Sequence, residues 1–364
     1  MNKIKAFLAR KGVVCSFRQY GVDALGAMAQ GLFCTLLVGT ILNTLGQQLH
    51  IGFLTAPVVS VGTVSYTVGG LASAMVGPGI AVAIGTALHC PPLVLFSLIP
   101  VGFAANAMGG AGGPLAVYAV TIIAAELGKL VSKETRIDIL VTPCVTVIAG
   151  IAVAQLIAAP IGTAARAVGL AIMWATELQP FFMGVLVSAL IGIALTLPIS
   201  SAAICAAFGL TGLAGGAAVA GCCAQMVGFA VMSFKENRWG GLVAQGVGTS
   251  MLQMPNILKN PRIWIPPTLA SMITGPLATC VFKLQMNGSP VSSGMGTCGF
   301  VGQIGVYTGW VSDIAAGTKA AITPMDWIGL VLICFILPAV LSTLFCRVLE
   351  KRGWIREGDM KLDL

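Results

Sequence analysis

The run QMNGSPVSSGMGTCGFVGQIGVYTG, Gln285 to Gly309, carries no charged residue and is dense in glycine and hydroxyl side chains. Its composition suits a turn, yet strongly apolar segments flank it on both sides. Backbone that is not regular helix persists at membrane depth only where protein buries it or where it lines a water-filled cavity. The stretch is therefore read as a re-entrant hairpin and as the first candidate for a solute site. The rest of the chain is read outward from it.

Hydrophobic residues make up 57% of the chain and charged residues 9%, against about 25% charged in ordinary soluble domains. That contrast selects a membrane protein. The 46 glycines fit close helix packing in a bilayer. A net charge of +8 does not indicate a nucleic-acid partner, because the basic residues cluster at the termini and in short loops. Lys3, Lys5, Arg10, Lys11 and Arg18 precede the first apolar run, and Arg347, Lys351, Arg352, Arg356 and Lys361 follow the last. The positive-inside rule then places both termini in the cytoplasm. The N-terminus has no pattern of a cleaved signal peptide.

A crossing needs roughly 20 mostly apolar residues. Residues 25–46, 68–88 (with Gly77-Pro78-Gly79 as a kink), 93–110, 115–131 and 139–159 meet that test. Residues 47–67 fit either a half-buried helix or a loop on the far side. Residues 160–179, with Arg166, Glu177 and Gln179, suit an amphipathic helix in the interface. A crossing from Pro180 to about 197 follows. Residues 197–234 then read as a first hairpin of two half-length helices. Residues 241–258 are too polar for lipid, and 263–284 and 325–346 cross again. The expectation is an all-α polytopic membrane protein with about eight full crossings (8–10) and about two or three re-entrant hairpins. Its parts are a cytoplasmic segment 1–24, a membrane scaffold 25–159, the interfacial helix 160–179, a substrate-binding part 180–347 and a cytoplasmic tail 348–364. The runs GGAGGPLAVYAV (Gly109 to Val120) and GFVGQIGVYTG (Gly299 to Gly309) hint weakly at an internal repeat.

Ionisable residues inside apolar runs are few. Glu126 is expected to pair with Lys129 or Lys133 at the interface, and His89 to be an interfacial helix-end residue. Glu177 reads as solvated. Asp313 and Asp326 fall in or beside a loop, and Lys283 is expected to snorkel. What remains for a solute is amides, hydroxyls and free backbone groups. The substrate-binding candidates are Ser200 and Ser201 in the first hairpin, Gln245, Thr249 and Gln253 between, and Asn287, Ser289, Ser292, Ser293, Gly294, Gly296, Thr297 and Gln303 in the second. Such groups suit polyols, or an anion at half-helix N-termini. No Walker loop, metal-binding His pair or nucleophile with a base appears, so no catalytic residue, metal or cofactor is expected. The 11 cysteines are scattered without metal spacing.

Leu197-Pro198-Ile199-Ser200-Ser201-Ala202-Ala203-Ile204, Gly228-Phe229-Ala230 with Lys235-Glu236-Asn237, Asn256-Ile257 with Asn260-Pro261, and Gly288-Ser289-Pro290-Val291-Ser292-Ser293-Gly294-Met295-Gly296 together resemble the membrane-permease (IIC) proteins of the bacterial sugar phosphotransferase system. The likeness spans roughly residues 20–347 and is nearest to the stand-alone variety that includes PfoR-type regulatory membrane proteins. It implies a homodimer, a scaffold part, a moving part with two hairpins around the solute, and separate phosphoryl-carrier (IIA/IIB) partners. Permeases of this kind often use Glu and His at the sugar, and the hairpin segments here contain neither. The resulting expectation is alternating-access transport of a small polar solute, a sugar or sugar-like compound. The alternative is a membrane sensor on the permease fold that binds a ligand without bulk transport.

Overall fold

Long apolar runs become helices here because a helix satisfies its own backbone where no water can. The computed structural model describes residues 7–8, 10–13 and 16–362. Lys3 and Lys5 of the expected N-terminal segment lie outside the described residues. Almost all regular structure is helical. Among the described residues, five helical runs are long and apolar enough to cross a membrane, or six if a pair bent by 53° counts as one span. One of the five, Pro92–Val131, holds two helices that pack on each other, so a single apolar run here contains two passes. The chain divides into two compact units, one ending at Ala165 and the other starting at Arg166.

The first unit contains α1 (Arg18–Gln48), α2 (Val68–Ala74), α3 (Val76–Ala87), α4 (Pro92–Gly109) and α5 (Gly113–Val131). Its packing is set by small residues. A Cβ on Gly31 would lie 2.6 Å from the Gly79 carbonyl, and one on Gly77 would lie 2.3 Å from the Gly102 carbonyl. Backbones that approach this closely exclude any larger side chain. Gly110, at φ +53°, turns α4 into α5, where the sequence shows its second glycine-rich break. Residues 52–66, left open by the sequence, form a helical turn Gly52–Thr55 and an exposed antiparallel pair, β1 (Val59–Val61) and β2 (Val64–Tyr66). The Glu126–Lys129 pairing is present at 2.8 Å, one turn apart on α5. The Lys129 ammonium, 2% exposed, also donates to the carbonyls of Gly12 (3.1 Å) and Leu88 (3.3 Å).

One helix, α6 (Asp138–Thr176), runs through Pro143 and Pro160 with no break near residue 160. At about 1.5 Å per residue it measures roughly 58 Å, about twice a hydrocarbon core of ~30 Å.

The second unit holds α7 (Pro180–Thr196), α8 (Ser201–Ala207), α9 (Gly212–Met232), α10 (Phe234–Val243), α11 (Met254–Lys259) and α12 (Ile265–Pro276). After these come α13 (Pro290–Ser293), α14 (Val301–Ala315) and α15 (Pro324–Lys351). Helix α9 is its hub and packs against α7, α12 and α15. The first hairpin differs from the sequence expectation of two half-length arms: α8 is short, but α9 has 21 residues, enough to span. Its Gly, Ala and Cys side chains let neighbours close around it. Gly192 would touch the Gly221 carbonyl at 2.8 Å, and Gly221 the Ser188 carbonyl at 1.9 Å, if either carried a Cβ. The core beside it combines Val219, Ala220, Met286, Val306, Trp310 and Ile333.

Candidate functional site

The two hairpins fold against each other inside the second unit. Ser200 caps α8, accepting from the Ala203 N–H at 3.2 Å. Gly209 and Gly212, at φ +60° and +64°, make the turn from α8 into α9. The chain after α12 then runs back as a short extended piece. Gly212 and Met286 exchange backbone hydrogen bonds, each 3.0 Å, as an isolated antiparallel bridge. The hydroxyls complete the clamp. Ser201 Oγ donates to the Gly294 carbonyl at 2.7 Å, and Ser293 Oγ donates to the Leu210 carbonyl at 2.6 Å.

The glycines are needed for that contact. A Cβ on Gly294 would sit 2.6 Å from the Ser201 carbonyl group. Gly296 stands at φ +53°, and its Cβ would lie 2.6 Å from the Cys222 Cβ. The path into α14 is strained as well, since Phe300 adopts φ +58°, a conformation costly for an aromatic residue.

Behind the clamp the polar groups are poorly served. Among the described residues Thr297 Oγ1 finds only the Met226 thioether, at 3.5 Å. Gln303 Nε2 points at the Cys223 sulfur, at 3.2 Å, and Gln303 Oε1 is buried with no hydrogen-bond partner among the described residues. Sulfur is a weak acceptor. Leaving a buried amide oxygen unmet costs about 1–3 kcal/mol. Ser292 lies against Gly305, two residues along α14 from Gln303. These groups can offer donors and acceptors to hydroxyls. They contain nothing that titrates near neutral pH as an acid or base.

The structure sorts the sequence candidates into four sets. Ser200, Ser201, Ser293, Gly294 and Gly296 build the clamp, while Ser292, Thr297 and Gln303 line its inner side. Asn287 joins the clamp from outside: its Oδ1 accepts from Gly212 N–H at 3.2 Å, and its Nδ2 donates to Asp313 at 2.8 Å. Ser289 is exposed at the start of α13 with no side-chain capping bond.

Gln245, Thr249 and Gln253 fall in a different network. Gln253 Nε2 donates to Gln245 Oε1 (2.8 Å) and to the Met360 carbonyl (3.0 Å). Asn256 Nδ2 donates to Gln253 Oε1 (2.9 Å) and to the Lys361 carbonyl (2.8 Å). Thr249 caps the turn at Met251 N–H. This ladder seats the C-terminal tail. Asn237 and Glu236 hold it from the other side, Glu236 accepting from Gly358 and Met360 N–H at 3.1 Å each. Burial pushes the Glu236 carboxyl above its ordinary value, against those two donors. The turn Ala244–Gly248 in turn packs on Cys298–Phe300, so the ladder runs from the second hairpin to the tail.

Sequence reasoning missed the wall supplied by α9: Cys222, Cys223 and Met226. It also missed Gln225, a fully buried amide that meets Thr268, Trp264 and Thr196. A lone amide amid glycine, alanine and cysteine is the signal that marks it. Among the described residues no cluster of His, Cys, Asp or Glu is arranged to hold a metal ion.

In comparisons with known proteins, the family described as "Phosphotransferase system, EIIC" matches residues 22–362. No curated protein and no solved structure matches the chain.

Proposed function

Because the chain belongs to the phosphotransferase-system EIIC family, we propose that it is a permease that binds a small polar solute, sugar-like in its hydroxyls, between α9 and the second hairpin. The observation that carries this reading is the buried Gln303 amide, whose Oε1 has no hydrogen-bond partner among the described residues while its Nε2 meets only the Cys223 sulfur at 3.2 Å. A solute hydroxyl there would donate to that oxygen and release the penalty of leaving it unmet. Thr297 and Ser292 supply further contacts, and the hydroxyl-to-carbonyl clamp keeps the two hairpins moving together. Alternating access in a homodimer of the bacterial inner membrane, with both termini in the cytoplasm, completes the proposal. Phosphoryl-carrier IIA and IIB proteins are the partners that the family implies. The test is uptake of a radiolabelled panel of sugars and polyols by proteoliposomes. Saturable uptake of one member supports the proposal; no saturable member opposes it.

A second reading has its own support. The amide ladder joins the second hairpin to the docked tail, a route by which a bound ligand would alter the tail without crossing. On that reading the chain is a sensor. A deletion strain with unchanged uptake and altered transcription would favour it.

A further inference from the structure

Helix α12 and the π-helical turn Leu277–Val281 that continues it put about 25 Å between their two ends. Asn260, just before this rod, bonds to the tail at Trp354 and Asp359. Just beyond its far end, a cavity of about 440 Å³ is lined by Lys283, Gln285, Asn287, Asp313, Lys319 and Asp326. That volume falls in the range of small-molecule sites, about 300–1,000 Å³.

The charges in this cavity are not equally occupied. Lys319 pairs with Asp326 at 2.9 Å, and the second oxygen of Asp326 accepts from the Thr323 N–H and hydroxyl at 2.7 and 2.8 Å. That pair is closed. Asp313 accepts from Asn287 Nδ2 on one oxygen only, at 2.8 Å. Lys283, at φ +46°, has no hydrogen bond or ion pair among the described residues. One open cation and one half-open carboxylate thus face the same cavity and do not pair with each other.

We propose that this cavity is a recognition site for a small zwitterion of the amino-acid class. Lys283 takes the ligand's carboxylate, and the free oxygen of Asp313 takes its ammonium. A polyol would leave both charges unused, and a simple anion or cation would match one of them. Occupancy is read by Asn287, which holds Asp313 with its amide nitrogen and Gly212 N–H with its oxygen. Gly212 is half of the bridge that joins the two hairpins. The ligand at this end therefore bears on the clamp without entering it.

Isothermal titration of the purified full-length protein with each standard amino acid tests the proposal without measuring transport, so its outcome is separate from that of the permease reading. Ethanolamine, propionate and mannitol serve as controls. The expected result is saturable binding of at least one amino acid, weakened tenfold or more by Lys283→Gln and by Asp313→Asn, with silent controls. Lys259→Gln, at the other end of the rod, leaves binding unchanged. Absence of binding by every amino acid, equal binding of mannitol, or unaltered affinity in both cavity variants would overturn it.

Discussion

In the unit ending at Ala165, the buried ammonium of Lys129 is met by Glu126 and by two backbone carbonyls. In the unit starting at Arg166, the buried amide oxygen of Gln303 has no hydrogen-bond partner among the described residues. Both units close their helices on glycine, and both contain broken helices. They differ in what they do with buried polarity. The first sets a buried ammonium against a carboxylate and backbone carbonyls, although Thr121 Oγ1 there also has no hydrogen-bond partner among the described residues. The second keeps a polar wall with sulfur for neighbours, which suits a surface that exchanges partners. A buried group without a partner is expensive, and beside the second hairpin we propose that a solute meets it.

Substitutions can break that comparison, and the largest effect belongs to the clamp. Gly296→Leu adds a side chain at positive φ where a Cβ already meets Cys222 at 2.6 Å. Solute uptake is expected to vanish while size-exclusion profiles show an inserted, folded protein. Wild-type uptake would remove the second hairpin from the site. Next in size is Lys129→Met, which leaves Glu126 buried beside an apolar group. Breaking a buried pair by removing one partner costs about 3–5 kcal/mol. Thermal unfolding in detergent should show that loss, and solute affinity of the remaining folded protein should not change.

A smaller effect is expected in the amide ladder. Gln253→Leu removes bonds to Gln245, Met360 and Asn256. Losing about 1–2 kcal/mol of tail docking should speed trypsin cleavage at Arg356 by roughly five- to thirtyfold, since cleavage tracks the open population. The smallest effect concerns the N-terminal tether. The Lys11 hydrogen bond, helped by the charge of Arg10, holds the Glu134 carboxyl below its ordinary value. Such a group stabilises the fold above the unfolded pKa, about 4.3 for Glu, and the contribution fades as pH falls through the lowered folded value. The melting-temperature gap between wild type and Glu134→Gln should be small at pH 7 and should shrink further as pH falls below about 4.

Much of this was legible in the order of residues. The uncharged Gly- and Ser-rich stretch between apolar runs is irregular from Gln285 to Phe300 and buried around Ser292 to Cys298, before α14 begins at Val301. The Glu126–Lys129 pair was legible because one helical turn separates them. The ladder formed by Gln245 and Gln253 was not legible, for the opposite reason. Their polarity was visible, but the partner that uses it, Met360, lies more than 100 positions along the chain from Gln253. The full length of α9 was hidden because glycine and alanine read as weak membrane formers, whereas close packing makes them suitable. Gln303 was selected for its amide, yet the Cys223 and Met226 wall that leaves its site unmet comes from a helix about 80 residues away.

The central claim is that the unmet oxygen of Gln303 is kept for a solute. Gln303→Met removes that oxygen while preserving length and apolar contact. Paired measurements of melting temperature and of saturable solute uptake test it most directly. The account predicts opposite signs: a fold more stable by about 1–3 kcal/mol and a solute affinity at least tenfold weaker. A variant that is less stable and transports with unchanged affinity would contradict it.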